Sequence, residues 1–190
     1  MESNLLESIL QKDKDLLVFL NSLGNEHWDS FWLLITNQFS WAPLFIFIFY
    51  LVIKSNGWKR GGFIIFSMIL LVAFSDQFVN LIKNSTERLR PNNDPEIQEI
   101  LRTFIRPKSF SFVSGHAATS TFFSVFTILV LRAKYKHIYA IICFPLIFAY
   151  SRLYLGVHFP IDVLLGMLLG LLLANGYYYL YRKVDYRLFS

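Results

Sequence analysis

The residues of this sequence that could do chemistry fall into three ordered blocks. Lys83 is followed, after six intervening residues, by Arg90-Pro91. The triplet Ser114-Gly115-His116 comes next. Ser151-Arg152 forms the third block, with five residues before His158 and three more before Asp162. Together these types suit transfer of a phosphoryl group. That reaction puts charge on three equatorial oxygens, and a protein accelerates it mainly by positioning and neutralising them. Lys83, Arg90 and Arg152 supply three cations, and an arginine fork can grip two phosphate oxygens at once. Ser114 and Gly115 stand where an apolar run begins. A helix start offers free N–H groups and a positive dipole end, and glycine lets the backbone approach a ligand closely. If His158 opens the next helix, with Pro160 in an early position, Asp162 lies on the same face four residues on. The carboxylate can then hold one ring nitrogen and leave the other free to attack phosphorus. His116 remains to protonate the departing oxygen and later to take a proton from the hydrolytic water.

Each block alone has a bland reading. Lys83 and Arg90 are also what a snorkelling anchor at a helix end looks like. Ser114 and His116 also fit a helix cap and an interface residue. Glu87 and Arg88, between the first cations, read as a solvated loop, His137 as a loop residue and His27 as an interface residue. Arg152 at the end of one apolar run and Asp162 one turn inside the next weigh more, because an ionisable residue inside a span is expensive.

The elements that must carry these residues follow from hydropathy. Of 190 residues, 55% are hydrophobic, with 20 Phe and 10 Tyr, above what a soluble domain usually holds. A spanning helix needs roughly 20 mostly apolar residues. Five segments qualify: 31–53, 61–82, 113–131, 138–154 and 161–181. Thr36, Asn37 and Gln38 interrupt the first, and Pro43 is expected to kink it. Ser75, Asp76, Gln77 and Asn80 mark the end of the second. The expected fold is an all-α membrane bundle of five to six transmembrane helices in a single domain, 1–190. Residues 1–27 form an amphipathic interfacial helix, with Leu5, Leu6, Ile9 and Leu10 as its stripe. Residues 28–181 form the bundle and 182–190 a cytoplasmic tail. The charged N-terminus lacks the apolar centre of a cleavable signal peptide. Gly166 and Gly170 suggest close helix packing.

The net charge of +5 does not point to nucleic acid, because the basic residues sit in short clusters between apolar runs. With five spans, Lys54-Lys59-Arg60, Arg132-Lys134-Lys136 and Arg182-Lys183-Arg187 share one side. Positive short loops mark the cytoplasm, so segments 83–112 and 152–160 fall together outside. All three chemical blocks therefore gather on one membrane face. Cys143, the one cysteine, can make no disulfide within the chain and is read as a small buried residue.

The three blocks resemble the motifs of the type 2 phosphatidic acid phosphatase superfamily, which also includes vanadium haloperoxidases and bacterial acid phosphatases. The motifs cover Lys83 to Asp162, and the span layout extends the resemblance over most of the chain. It implies a helical, metal-free lipid phosphate phosphatase without a cofactor. It further implies His158 as nucleophile, Asp162 as its orienter and His116 as general acid. Lys83, Arg90, Ser114, Gly115 and Arg152 would bind phosphate. The chain departs from the family's pattern in having Val113 where proline usually precedes Ser-Gly-His. The short chain and its interfacial helix resemble the bacterial undecaprenyl diphosphate phosphatases. Undecaprenyl diphosphate is therefore the first expected substrate, hydrolysed at the outer face of a bacterial plasma membrane. Phosphatidylglycerol phosphate, phosphatidic acid and the 1-phosphate of lipid A come next. A non-catalytic anion- or lipid-binding protein or transporter is the competing class, although no inverted repeat supports a transporter. A haloperoxidase is disfavoured because those relatives are soluble. Oligomeric state stays open.

Overall fold

The computed structural model describes residues 2–189, so the expected interfacial helix and tail each have one end, Met1 and Ser190, outside the described residues. Every regular element among the described residues is helical. Helix α1 spans Glu2–Ser22 and α2 Glu26–Thr36, the latter capped by Asn25, whose side chain accepts from the His27 amide at 3.1 Å. The polar trio inside the expected first span ends α2. The Asn37 side chain accepts from the Phe39 amide at 3.0 Å, and a 3-10 turn, Gln38–Trp41, follows. Such side chains compete with the helix for backbone groups. Pro43 does not kink a helix as expected. It sits in the first turn of α3, Ala42–Thr86, where the missing N–H breaks no bond.

Helix α3 joins the expected first and second spans through Gly57, whose φ of +73° lies in the left-handed region open to glycine. Beyond that break the chain doubles back. A Cβ on Gly61 would lie 3.0 Å from the Ile53 Cα and 3.3 Å from the Val52 carbonyl. The remaining helices are α4 at Gly115–Leu131, α5 at Cys143–Tyr154 and α6 at Pro160–Phe189. A 3-10 segment, Lys136–Ile142, leads into α5. The expected tail is helical, because α6 runs on to Phe189, with Asp185 anchored on Arg60.

Helix α4 is the axis of the bundle, packed against α6, α3 and α5. Its tight seam with α6 depends on two glycines. A Cβ would fall 2.7 Å from the Ser114 carbonyl at Gly166 and 2.3 Å from the Ala118 carbonyl at Gly170. The small-residue pair therefore works inside the bundle. The core around this axis holds Ile48, Met68, Leu71, Phe122, Phe126 and Phe148. Outward faces of the long helices are apolar, as with Ile46, Leu164, Leu168 and Leu172, which suits a lipid solvent. Cys143 belongs to that outer surface. It is exposed, contrary to the buried position expected, because at a lipid-facing position a small apolar side chain needs no protein cover.

Three helical segments are long and apolar enough to span a membrane, and α4 is a shorter apolar helix. The basic clusters come to one end of the bundle. Lys134 donates to the Ser55 carbonyl and Asn56, and Arg60 holds Asp185. The chain from 87 to 114 and the α5–α6 turn meet at the opposite end, where Ser111 and Asp162 are bonded.

Candidate active site

Helix ends deliver most of the site. Lys83 rides the last turn of α3, Gly115 and His116 the first turn of α4, and Arg152 the last turn of α5. The loop 87–114 returns over them, tied to the end of α3 by the Ser111 amide on the Arg88 carbonyl at 2.8 Å. Here a cavity of about 1020 Å³ is lined by Lys83, Arg90, Gly115, His116, Arg152 and His158. Six of the eight residues picked from the sequence thus share one cavity. Ser114 and Asp162 do not line it. Both are fully buried behind it.

Ser114, expected among the phosphate contacts, stands behind the cavity as a helix cap. Its side chain accepts from the Ala117 amide and caps α4, and its own amide donates to the Asp162 carbonyl at 3.0 Å. The serine builds the helix start, and the next residues carry it to the ligand. Val113, in the place where the family has proline, is buried against Val79 and Ala118.

The histidine–carboxylate pair is also more elaborate than spacing suggests. His158 Nδ1 lies 3.6 Å from Asp162 Oδ2, too far for a hydrogen bond. Ser111 fills the gap. Its hydroxyl donates to Asp162 Oδ2 at 2.5 Å, and its oxygen lies 3.3 Å from His158 Nδ1. A hydroxyl has one proton, so with that proton on the carboxylate it can only accept from His158 Nδ1–H. The other ring nitrogen, Nε2, then carries the lone pair. Arg90 Nη1 donates to it at 3.1 Å, and Arg90 is itself held by the Val157 and Ser109 carbonyls and the Ser109 hydroxyl. Burial, and then the charges of Arg90, Arg152 and Lys83, push the His158 pKa well below its usual 6.5. The ring is therefore neutral at neutral pH, as a nucleophile must be.

Arg88 was missed by sequence reasoning, which left it in a solvated loop with Glu87. Glu87 is exposed there, in a left-handed turn that ends α3. Arg88 instead folds inward over the Phe159 ring, 4.1 Å from its centroid. It donates to Asp162 Oδ1 at 2.6 Å and to Asp13 Oδ2 at 2.7 Å. Asp13 comes from α1 and also accepts from the Ile161 amide at 2.9 Å. The only signal for Arg88 was its position two residues before Arg90. Ser111 and Asp13 gave none.

The remaining cations are held for an anion. Lys83 donates to the Phe110 carbonyl at 2.7 Å, and Arg152 Nη1 to the Thr36 hydroxyl. Arg152 Nε is buried and has no hydrogen-bond partner among the described residues. Three cations and a helix start converge on one cavity beside a neutral histidine, a setting whose charge suits an anion. His27 and His137 are exposed and take no part in it.

The PAP2 superfamily profile matches residues 61–186, about two thirds of the chain. The chain belongs to the PAP2 superfamily. It is similar to a lipid A 4'-phosphatase of Bacteroides thetaiotaomicron, 31% identical over 98% of this chain and 84% of the relative. An undecaprenyl-diphosphatase of Sulfolobus acidocaldarius is 32% identical over 82% of this chain and 64% of its own. Among solved structures, the PAP2 type phosphatidylglycerolphosphate phosphatase of Bacillus subtilis superposes with a TM-score of 0.70. That match is at 22% identity and covers 93% of this chain and 88% of the other. This PAP2 protein is a multi-pass membrane lipid phosphatase, a hydrolase acting on phosphoric esters.

Proposed function

We propose that this PAP2 phosphatase removes a phosphate monoester from a sugar lipid of the lipid A class, through a phosphohistidine on His158. The observation that carries the chemistry is the state of the His158 ring. Nδ1 is engaged by Ser111, which bridges to Asp162, and Nε2 meets Arg90 within the field of Arg152 and Lys83. The phosphate sits between these cations and the amides at the start of α4. Arg90 passes its N–H from Nε2 to a phosphate oxygen. Nε2 attacks phosphorus, the ester P–O bond breaks, and His116 gives its proton to the leaving oxygen. Asp162, through Ser111, stabilises the positive ring. Water then attacks the phosphohistidine, His116 takes its proton, and inorganic phosphate leaves. The cations supply the charge that a metal would otherwise supply, so the reaction proceeds without one.

The sugar-lipid reading rests on the relative that pairs with almost the whole chain, a lipid A 4'-phosphatase. Undecaprenyl diphosphate, the first expectation from sequence, is the second reading, supported by the shorter match to an undecaprenyl-diphosphatase. The positive charge of the short loops supports a site that faces outward across a bacterial plasma membrane.

The test is phosphate release by detergent-purified protein in excess EDTA, from lipid A, undecaprenyl diphosphate, phosphatidylglycerol phosphate and phosphatidic acid, with His158→Ala in parallel. Release from lipid A by the wild type alone is expected. Release only from undecaprenyl diphosphate moves the substrate to the second reading. Loss of activity in EDTA ends the metal-free mechanism. Undiminished lipid binding without release from any substrate would favour a non-catalytic protein.

A further inference from the structure

The cavity is graded along its depth, and one carboxylate in it has no role in the chemistry above. The residues of the second half of α3 that line the cavity include Lys83, Asn80, Asp76, Val72 and Met68. These are steps of three and four, one face of a helix. At 1.5 Å per residue Asp76 sits about 10 Å below Lys83 along the axis, roughly the depth of a sugar ring and its substituents. On α4 the lining runs from His116 through Thr119 and Ser120 to Phe123, and on α5 from Arg152 through Phe148 to Phe144. A polar band therefore separates the cations from an apolar floor.

Asp76 is the charged member of that band. It is exposed to the cavity and makes no ion pair among the described residues. One of its oxygens accepts from Asn80 Nδ2 at 3.1 Å, and the other has no partner among the described residues. Thr119, across the band, is hydrogen-bonded to Ser75 at 3.1 Å, which fixes the two helices at this level. A carboxylate on a membrane-spanning helix is costly and is kept where it meets a cavity or a substrate.

We infer that Asp76, supported by Asn80, selects the headgroup by accepting hydrogen bonds from the hydroxyl or amide groups of a phosphorylated sugar. The same charge disfavours a diphosphate, whose second phosphate would lie nearer this fixed anion. This inference rests on the sugar-lipid reading and deepens it.

The experiment measures kcat/KM for lipid A and for undecaprenyl diphosphate with wild type, Asp76→Ala and Asp76→Asn. Thermal unfolding in detergent checks that each variant is folded. For lipid A, Asp76→Ala is expected to lose about ten- to hundredfold, as when a charged acceptor is removed from a buried polar contact, with the loss in KM. Asp76→Asn keeps an acceptor oxygen and recovers part of that loss. For undecaprenyl diphosphate both variants are expected to gain severalfold. Equal losses on both lipids, or no change on either, overturn the inference. If the wild type ignores lipid A, the substrate reading fails by itself. The selection by charge then stands only if both variants still hydrolyse the diphosphate faster.

Discussion

At the end of the bundle that carries the basic loops, Arg60 grips Asp185 through Nε and Nη2 at 2.9 and 2.5 Å. At the opposite end Arg88 spans Asp162 and Asp13 at 2.6 and 2.7 Å. In both places an arginine reaches from the α3 region to a buried carboxylate on α6. The surroundings separate them. The Arg60 side chain is 45% exposed, whereas Arg88 is 19% exposed and both of its carboxylates are closed off. Solvent screens the first pair, so its contribution is modest. The second pair continues through Ser111 to His158, so its geometry bears on how that ring is held. One kind of contact thus serves as a clasp at one end and as part of a reactive assembly at the other.

The sharpest break of that contrast is amide substitution of the two α6 carboxylates. Asp162→Asn should lower kcat about a thousandfold or more, since loss of the carboxylate frees the ring to adopt the wrong tautomer. Asp185→Asn should leave kcat within about twofold and only ease thermal unfolding. Exchange of the arginines comes next. Arg88→Leu should reduce kcat about a hundredfold with little change in KM, the signature of a positioning loss. Arg60→Leu should keep its activity and lower the unfolding midpoint by about 2–4 °C. Ser111→Ala should cost about tenfold in kcat, with Ser111→Thr restoring part of it, because the hydroxyl bridges a gap too long for a direct bond.

The smallest effect concerns pH. A buried His158 with a lowered pKa stays neutral while the unfolded chain takes up a proton near 6.5. Stability is therefore full above that value and falls as pH drops from it towards the folded-state pKa. Unfolding midpoints between about pH 7.5 and 5.5 should slope less in His158→Gln than in the wild type. No matching change is expected at the Arg60 end, where no histidine is in contact.

The contrast also marks what could be read in the sequence. The all-helical, apolar architecture followed from apolar run length, because a bilayer imposes length and polarity together, although the expected first span breaks at Asn37. The gathering of Lys83, Arg90, His116, Arg152 and His158 followed from parity of the spans. Errors arose where a local signal had two meanings. Pro43 starts a helix as readily as it bends one, and only the turn after Asn37 decides between them. Ser114 could be a cap or a ligand contact from sequence, and the structure shows the cap. Arg88 looked solvated because its partners, Asp13 and Asp162, are 75 and 74 residues distant. Ser111 was invisible for the same reason, since bridging a gap is a property of three-dimensional spacing alone.

Asp13 reaches the site from α1, whereas the shared PAP2 core begins only at residue 61. A chain shortened to that core would keep every motif and lose one of the two acidic partners of Arg88. Terminal trimming, often harmless elsewhere, would here amount to an active-site substitution.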